Sequence, residues 1–176
     1  MIALFSKKTS DLKPIQIKNI CKLKNTQWKY TLKSQLIWFK KNNFKTDLHN
    51  LMILKNKIIG YTSLRLRYFE YSKKKYKFLL FDSLIIHKKY RKKKYSNILM
   101  KFNNNIILSK HKIAFLICEK KMVNFYKKFD WCKLKKQTYE ILDHRTLKIG
   151  MAYNRNNLNK AKKKISLNFK KYISDK

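Results

Sequence analysis

Glycine occurs twice and proline once in 176 residues. Those two residues usually make turns, glycine by tolerating positive φ and proline by presetting it. Collagen-like and glycine- or proline-rich low-complexity architectures are therefore excluded. Acids are scarce as well: 9 Asp+Glu stand against 45 Lys+Arg, a formal net charge of +36. No apolar run approaches the roughly 18 residues of a membrane-spanning helix, and Met1–Phe5 is too short for a signal-peptide core. Cys21, Cys118 and Cys132 show no CxxC or Cys/His spacing, so no metal site is expected. Their odd number points to free, buried thiols in a reducing compartment, with the cytoplasm as the default location.

What remains is a chain that folds despite its charge, with 44% hydrophobic and 14% aromatic residues. Its length suits one domain, expected over 1–154, followed by a basic C-terminal tail or helix over 155–176. Two readings of the charge stay open. It signals an anionic partner, or it is residue bias of the kind AT-rich coding produces, since Lys, Asn, Ile, Tyr and Phe dominate throughout. The basic residues spread over nearly the whole chain, which weakens the nucleic-acid reading. A carboxylate inside an apolar run then becomes informative, and Asp82 in "FLLFDSLIIH" is one.

Apolar spacing predicts two helices over 11–44, separated near Asn25-Thr26. Two strands follow at about 48–54 and 58–69, joined by a tight turn at Lys55–Lys57, with a bulge expected at Gly60. The continuous run at 77–86 reads as a central strand. A basic loop follows, then a helix over 92–109 and a buried strand at 112–118. A strand–helix–strand unit of this kind crosses over right-handed, so the two strands should be parallel neighbours. "KKMVNFYKKF" reads as a short helix, and "WCKLKK" with residues 139–154 as a final antiparallel pair. In the tail, Ile165, Phe169, Tyr172 and Ile173 fall at helical spacing.

With "LIIHKKYRKKKYSNILM" and "FYKKFDW" in place, this order resembles the GNAT acyltransferases, which move an acyl group from coenzyme A to an acceptor. The family's phosphate loop, Arg/Gln-x-x-Gly-x-Gly/Ala, reads here Arg91-Lys92-Lys93-Lys94-Tyr95-Ser96, with Lys94 in place of the first glycine. Its Tyr-x-x-x-Gly-Phe reads Tyr126-Lys127-Lys128-Phe129-Asp130-Trp131, again with the glycine replaced, and Glu119 stands where many members carry Asn. The resemblance implies a mixed α/β (α+β) fold, a mainly antiparallel twisted sheet with a central parallel strand pair flanked by helices. Pyrophosphate would bind backbone N–H groups at a helix N-terminus. Lys94 would then have to avoid positive φ or accept a cost of about 1 kcal/mol or more.

The resemblance further implies acetyl-coenzyme A as donor and a small-molecule primary amine, such as an amino sugar, as acceptor, attacked directly in a ternary complex. Asp82 would be the base and Tyr126 the acid. Leu84, Ile85 and Ile86 would offer backbone to the pantetheine arm and the oxyanion. Arg91 to Ser96 and Glu119 would complete the coenzyme site. Trp28, Tyr30, Gln35, Trp38, His49 and Arg65 would contact the acceptor, with Asp47 and Arg67 nearby. Two alternatives belong to other classes: a basic nucleic-acid- or ribosome-associated binding protein, the less favoured partner reading, and an inactive GNAT-fold interaction module. The sequence is silent on oligomeric state and on acyl-chain length.

Overall fold

The computed structural model describes residues 1–142, 148–154 and 164–169. In chain order the elements are β1 (Ile2–Lys8), α1 (Pro14–Asn25), α2 (Leu32–Asn42), β2 (Leu48–Leu54), β3 (Lys57–Tyr71), β4 (Lys74–Ile86), α3 (Tyr95–Ser109), β5 (Ala114–Cys118), α4 (Val123–Lys127), β6 (Cys132–Lys133), β7 (Tyr139–Ile141), β8 (Ile149–Tyr153) and β9 (Ile165–Asn168). The strands follow the order β1-β2-β3-β4-β5-β8-β6, with β9 beside β3 and β7 beside β9. Pairing is mostly antiparallel. The expected parallel pair is β4/β5, with Leu79 opposite Ala114 and Leu80 opposite Phe115, and β7/β9 is a second parallel pair. Among the described residues no helix is long and apolar enough to cross a membrane.

By its internal contacts the chain divides into two compact units, Met1–Arg65 with Asp82–Asn103 and Leu66–Phe81 with Asn104–Lys176. In the first, α1 starts with Pro14 in the opening turn, where its missing N–H costs nothing. The α2 N-terminus is capped by Thr31, whose hydroxyl accepts from Ser34 N–H at 3.1 Å. Strand alternation then sorts the core. Leu51 and Ile85 pack with Ile20, Leu23 and Phe39 of α1 and α2, whereas Met52 and Ile86 pack with Leu99 of α3. The bulge expected at Gly60 is present, because Met52 pairs with Gly60 but the next residue, Ile53, pairs with Ile58. The extra residue breaks the alternation and lets Ile59 face α3 while Tyr61 faces the other helices.

In the second unit, Phe69, Phe78, Leu80 and Phe115 form the core with Ile165 and Leu167. Phe78 and Phe115 meet edge-to-face at 5.2 Å. Trp131 donates its indole N–H to the Asn104 side chain at 3.1 Å and stacks on Tyr153.

Three readings need correction. Ile2–Lys8, where the sequence pattern predicts no element, is a strand paired with β2 along its whole length. Residues 165–168 of the tail form a strand, not a helix turn, and Tyr139–Ile141 pairs with that strand; the expected antiparallel pair is present as β6 with β8, and Tyr172 and Ile173 lie outside the described residues. Cys132 is only half-buried, unlike Cys21 and Cys118.

No glycine has positive φ, yet ten other described residues do. Lys55-Asn56 and Ser72-Lys73 each supply the two left-handed residues of a tight hairpin. Both glycines sit where a side chain has no room. A Cβ on Gly60 would lie 2.9 Å from Ile86 and 3.1 Å from Met52, and one on Gly150 would lie 2.6 Å from the Tyr139 ring. That ring is pinned, because its hydroxyl accepts the Gly150 N–H at 2.8 Å. Gly60→Ala and Gly150→Ala should each lower stability by about 1–3 kcal/mol, Gly150→Ala the more. Lys73→Gly should be neutral or raise it by up to about 1 kcal/mol. Urea unfolding midpoints of the three variants check this.

Candidate active site

The helix pair and the end of β4 build a cavity of about 470 Å³, lined by Lys24, Trp28, Tyr30, Ser34, Gln35, Trp38, Asp82 and Ser83. Four of the expected acceptor contacts and the expected base therefore share one wall. Trp28 and Tyr30 come from the α1–α2 connection, Gln35 and Trp38 from α2. Ser83 has φ 64°. In a regular strand Asp82 and Ser83 would face opposite ways, and the left-handed residue turns both toward the cavity.

Arg65 donates from its guanidinium to the Asp82 carboxylate at 3.0 Å. Its guanidinium also lies 5.2 Å from the Trp38 ring centre, and it is buried behind that wall rather than lining the cavity. Its place is to hold Asp82. Lys24 was not anticipated. It is 6% exposed, and its Nζ lies 3.9 Å from the Trp38 ring centre. Burial lowers the Lys24 pKa, Asp82 and Cys21 oppose that shift, and Arg65 adds to it. A signal existed, since Ile17, Ile20, Cys21, Lys24 and Trp28 recur at three- and four-residue spacing, and Lys24 stands on that otherwise apolar stripe.

His49 is placed elsewhere. It is fully buried, with Nε2 2.8 Å from the Thr9 hydroxyl and Nδ1 2.8 Å from the Tyr61 hydroxyl. The Phe39 and Tyr61 rings lie near-parallel to its own, at 5.0 and 5.9 Å between centroids. It is a satisfied core residue and does not line the cavity. Asp47 is buried and accepts the Phe44 N–H at 2.9 Å. Arg67, in the second unit, donates to the Phe169 carbonyl at 3.2 Å.

After β4 the backbone enters the basic loop. Leu84 is half-buried, and Ile85 and Ile86 are buried. Arg91 directs Nε to the Ile86 carbonyl at 3.1 Å and an η nitrogen to the Gln27 side chain at 2.8 Å. It ties the loop to the strand end and to the α1–α2 connection. Lys92 and Lys94 have φ 65° and 56°, so Lys94 accepts the left-handed conformation that glycine would make cheap. The Lys94 carbonyl receives the N–H groups of Asn97 and Ile98. The amides of Tyr95 and Ser96 lie ahead of those first helical bonds, at the positive end of α3. Lys92, Lys93 and Lys94 are exposed around them.

In the second unit, Tyr126 lies in α4, buried against Phe81, Phe125 and Trp131. Trp131 N–H reaches the Tyr126 carbonyl and Asp130 N–H the Lys127 carbonyl. With Asp130 at φ 63°, this is a Schellman ending that glycine normally occupies. Glu119 is exposed and paired with Lys121 at 2.8 Å, which lowers its pKa through that hydrogen bond. Burial raises the Cys118 thiol to about 11, so it is unreactive at neutral pH. Among the described residues no His/Cys/Asp/Glu group could hold a metal.

No protein-family model and no curated protein matches this sequence. Solved structures do. A GNAT family N-acetyltransferase (YhbS) from Escherichia coli, in complex with CoA, aligns with TM-score 0.68 at 11% identity over 95% of this chain and 91% of its own. Escherichia coli ElaA gives 0.64 at 16% identity, over 86% and 99%. An aminoglycoside 6′-N-acetyltransferase complexed with coenzyme A gives 0.59 at 10% identity, over 85% and 96%. The chain has the fold of the GNAT N-acyltransferases.

Burial holds the His49 pKa down at about 4, with Lys24 and Arg65 adding to the effect. The folded state thus binds a proton less readily than the unfolded chain, whose histidine titrates near 6.5. The stability this confers is complete above about pH 6.5 and is lost as pH falls toward 4. His49 alone should remove about 3 kcal/mol across that window. Denaturant unfolding between pH 7 and 4.5 should show a shallower loss in His49→Gln than in the parent chain.

Proposed function

We propose that the chain transfers an acyl group, most simply acetyl, from coenzyme A to a primary amine held in the cavity between α1, α2 and β4. The observation that carries this reading is the backbone of the basic loop. Left-handed lysines at 92 and 94 cost about 1 kcal/mol each, and the chain keeps them directly before the first-turn amides of α3, which precede its first internal bonds. A helix N-terminus presented by such a loop fits a pyrophosphate, and Lys92, Lys93 and Lys94 add charge that favours it. Arg91 is committed to Ile86 and Gln27, so it shapes the loop and does not crowd that cradle. The CoA complexes of the two similar structures support the same reading.

Coenzyme A would supply the activated acyl thioester. The chain's own residues divide the remaining work. The acceptor must lose a proton, because an ammonium has no lone pair to attack with, and Asp82 on the cavity wall takes it, directly or through water. Arg65 keeps that carboxylate aimed. Backbone N–H groups at Leu84–Ile86 stabilise the developing oxyanion, and the same segment offers a ladder edge to the pantetheine arm. Tyr126 returns a proton to the departing sulfur. The C–N bond forms as the C–S bond breaks, with no covalent enzyme intermediate. Trp28, Tyr30, Gln35 and Trp38 hold the acceptor.

Acetyl-coenzyme A at 100-fold over its Kd should add about 2.7 kcal/mol of stability, several degrees in Tm, and the shift should survive moderate salt. A missing shift, or one that salt abolishes, rejects the coenzyme site. Asp82→Asn should lower turnover by about 10²–10⁴-fold, measured as free thiol release. Tyr126→Phe should lower turnover more than coenzyme binding, and unchanged turnover removes Tyr126 from the mechanism.

A further inference from the structure

Lys24 and Asp82 line the cavity, Arg65 stands behind its wall, and the one carboxylate of the three is already engaged. Lys24 and Arg65 both stand over Trp38, at 3.9 and 5.2 Å from its ring centre. Asp82 is bonded to Arg65. The Arg65 Nε is buried and has no acceptor among the described residues. Nothing in the helical segment neutralises this. Between Asp11 and Asp47 the chain has nine lysines and no acid. Among the described residues Lys24 forms no ion pair: its ammonium rests on the Trp38 face, Asp82 acts on it only at longer range, and burial already opposes its protonation. A polycationic amine entering here would meet like charge with a single, occupied carboxylate to offset it. An anionic group would meet the Lys24 ammonium, which has no ion-pair partner among the described residues, with the Arg65 guanidinium adding positive potential from behind the wall.

We propose that Lys24 is a specificity-determining residue that selects acceptors carrying an anionic group, a carboxylate or a phosphate, and excludes polycationic amines. The anion displaces the Lys24 ammonium from Trp38 and pairs with it. The body of the acceptor lies against Trp28, Tyr30 and Trp38, with Gln35 and Ser34 offering hydrogen bonds, and its amine faces Asp82. That the bound amine is an acceptor rests on the acyl-transfer reading; the charge selection itself does not.

Tryptophan emission reads the cavity, because Trp28 and Trp38 line it and the third tryptophan, Trp131, is fully buried in the second unit. The full chain is titrated at fixed ionic strength with matched amines, tyrosine against tyramine for the carboxylate and glucosamine 6-phosphate against glucosamine for the phosphate, with spermidine as the polycation. In the parent chain at least one anionic member should bind ten-fold or more tighter than its counterpart, and the pair that responds names the anion. Spermidine should not bind. Lys24→Met keeps the aliphatic packing and should reduce the preference below about two-fold, a loss of about 1 kcal/mol of discrimination. Lys24→Arg should retain it. Equal binding, no saturable change with any probe, or a preference that survives in Lys24→Met would overturn the proposal, the last because the attraction would then belong to the overall charge. Thiol release from acetyl-coenzyme A, run on the same samples, separates the two readings. An anion preference without coenzyme binding ends acyl transfer and leaves Lys24 as proposed. Turnover that favours spermidine does the reverse.

Discussion

The backbone has to turn, and with two glycines it turns on lysine, asparagine, serine, histidine and aspartate. Ten such described residues hold positive φ. Each pays about 1 kcal/mol for the clash of its Cβ with the following carbonyl, less for Asn and Asp, whose short side chains tolerate the region. Together these costs are comparable to the net stability of a whole domain. They are tolerated because the fold over-determines each position. Lys55-Asn56 and Ser72-Lys73 are fixed by the hairpin strands on either side, Asp130 by the two backbone bonds of the Schellman ending, and Lys94 by the first bonds of α3. The two glycines are spent on a different constraint. They stand where a Cβ would strike a neighbour, and no change of φ relieves that. Steric exclusion is harder to substitute than conformational freedom, and this explains which glycines remain.

On the acyl-transfer reading, the same distinction accounts for how the candidate site works without the glycines of the family pattern. A glycine in a phosphate loop does two jobs, reaching positive φ and leaving space for the ligand. Lys92, Lys94 and Asp130 show the first done without glycine. For the second, a lysine Cβ at 94 occupies space but brings an ammonium on a flexible stem that can swing clear and add attraction to phosphate. On the acyl-transfer reading, substitution toward lysine, the direction in which the whole composition leans, is the least damaging at this loop. The Ser83 kink is a further use of positive φ, because it breaks strand alternation and brings two consecutive polar side chains into one cavity.

Much of this was legible in the residues, and what was not has physical reasons. The β4–loop–α3–β5 core was readable because a long apolar run, a charged break and a clean helical stripe leave one arrangement. That Trp28, Tyr30, Gln35 and Trp38 share one cavity was readable because they are large residues close together in the α1–α2 connection and in α2. β1 was not, because its alternation is faint, with Ile2, Ala3 and Leu4 all only half-buried. β9 was misread because a four-residue spacing, Ile165 to Phe169, satisfies both a helix and a strand. Leu167, midway between them and buried in the core, decides for the strand. The Arg65–Asp82 pair depends on strand register, which local sequence does not carry. His49 looked functional beside Asp47, but its partners Thr9 and Tyr61 stand 40 and 12 positions away, and only the folded sheet brings them to its ring.

Net charge is the feature that local geometry reinterprets most. A value of +36 suggests a surface seeking a polyanion, yet most of these lysines are exposed, where water and salt screen them. The few buried cations are individually placed. Arg65 faces Asp82, Arg67 donates to backbone carbonyls, and Lys24 faces an indole. Screening fails inside a cavity, so one ammonium there outweighs many at the surface in deciding what enters. On the charge-selection proposal, the charge that governs recognition is the local one around Trp38, and the global excess adds chiefly long-range attraction that draws any anion to the protein without choosing among them.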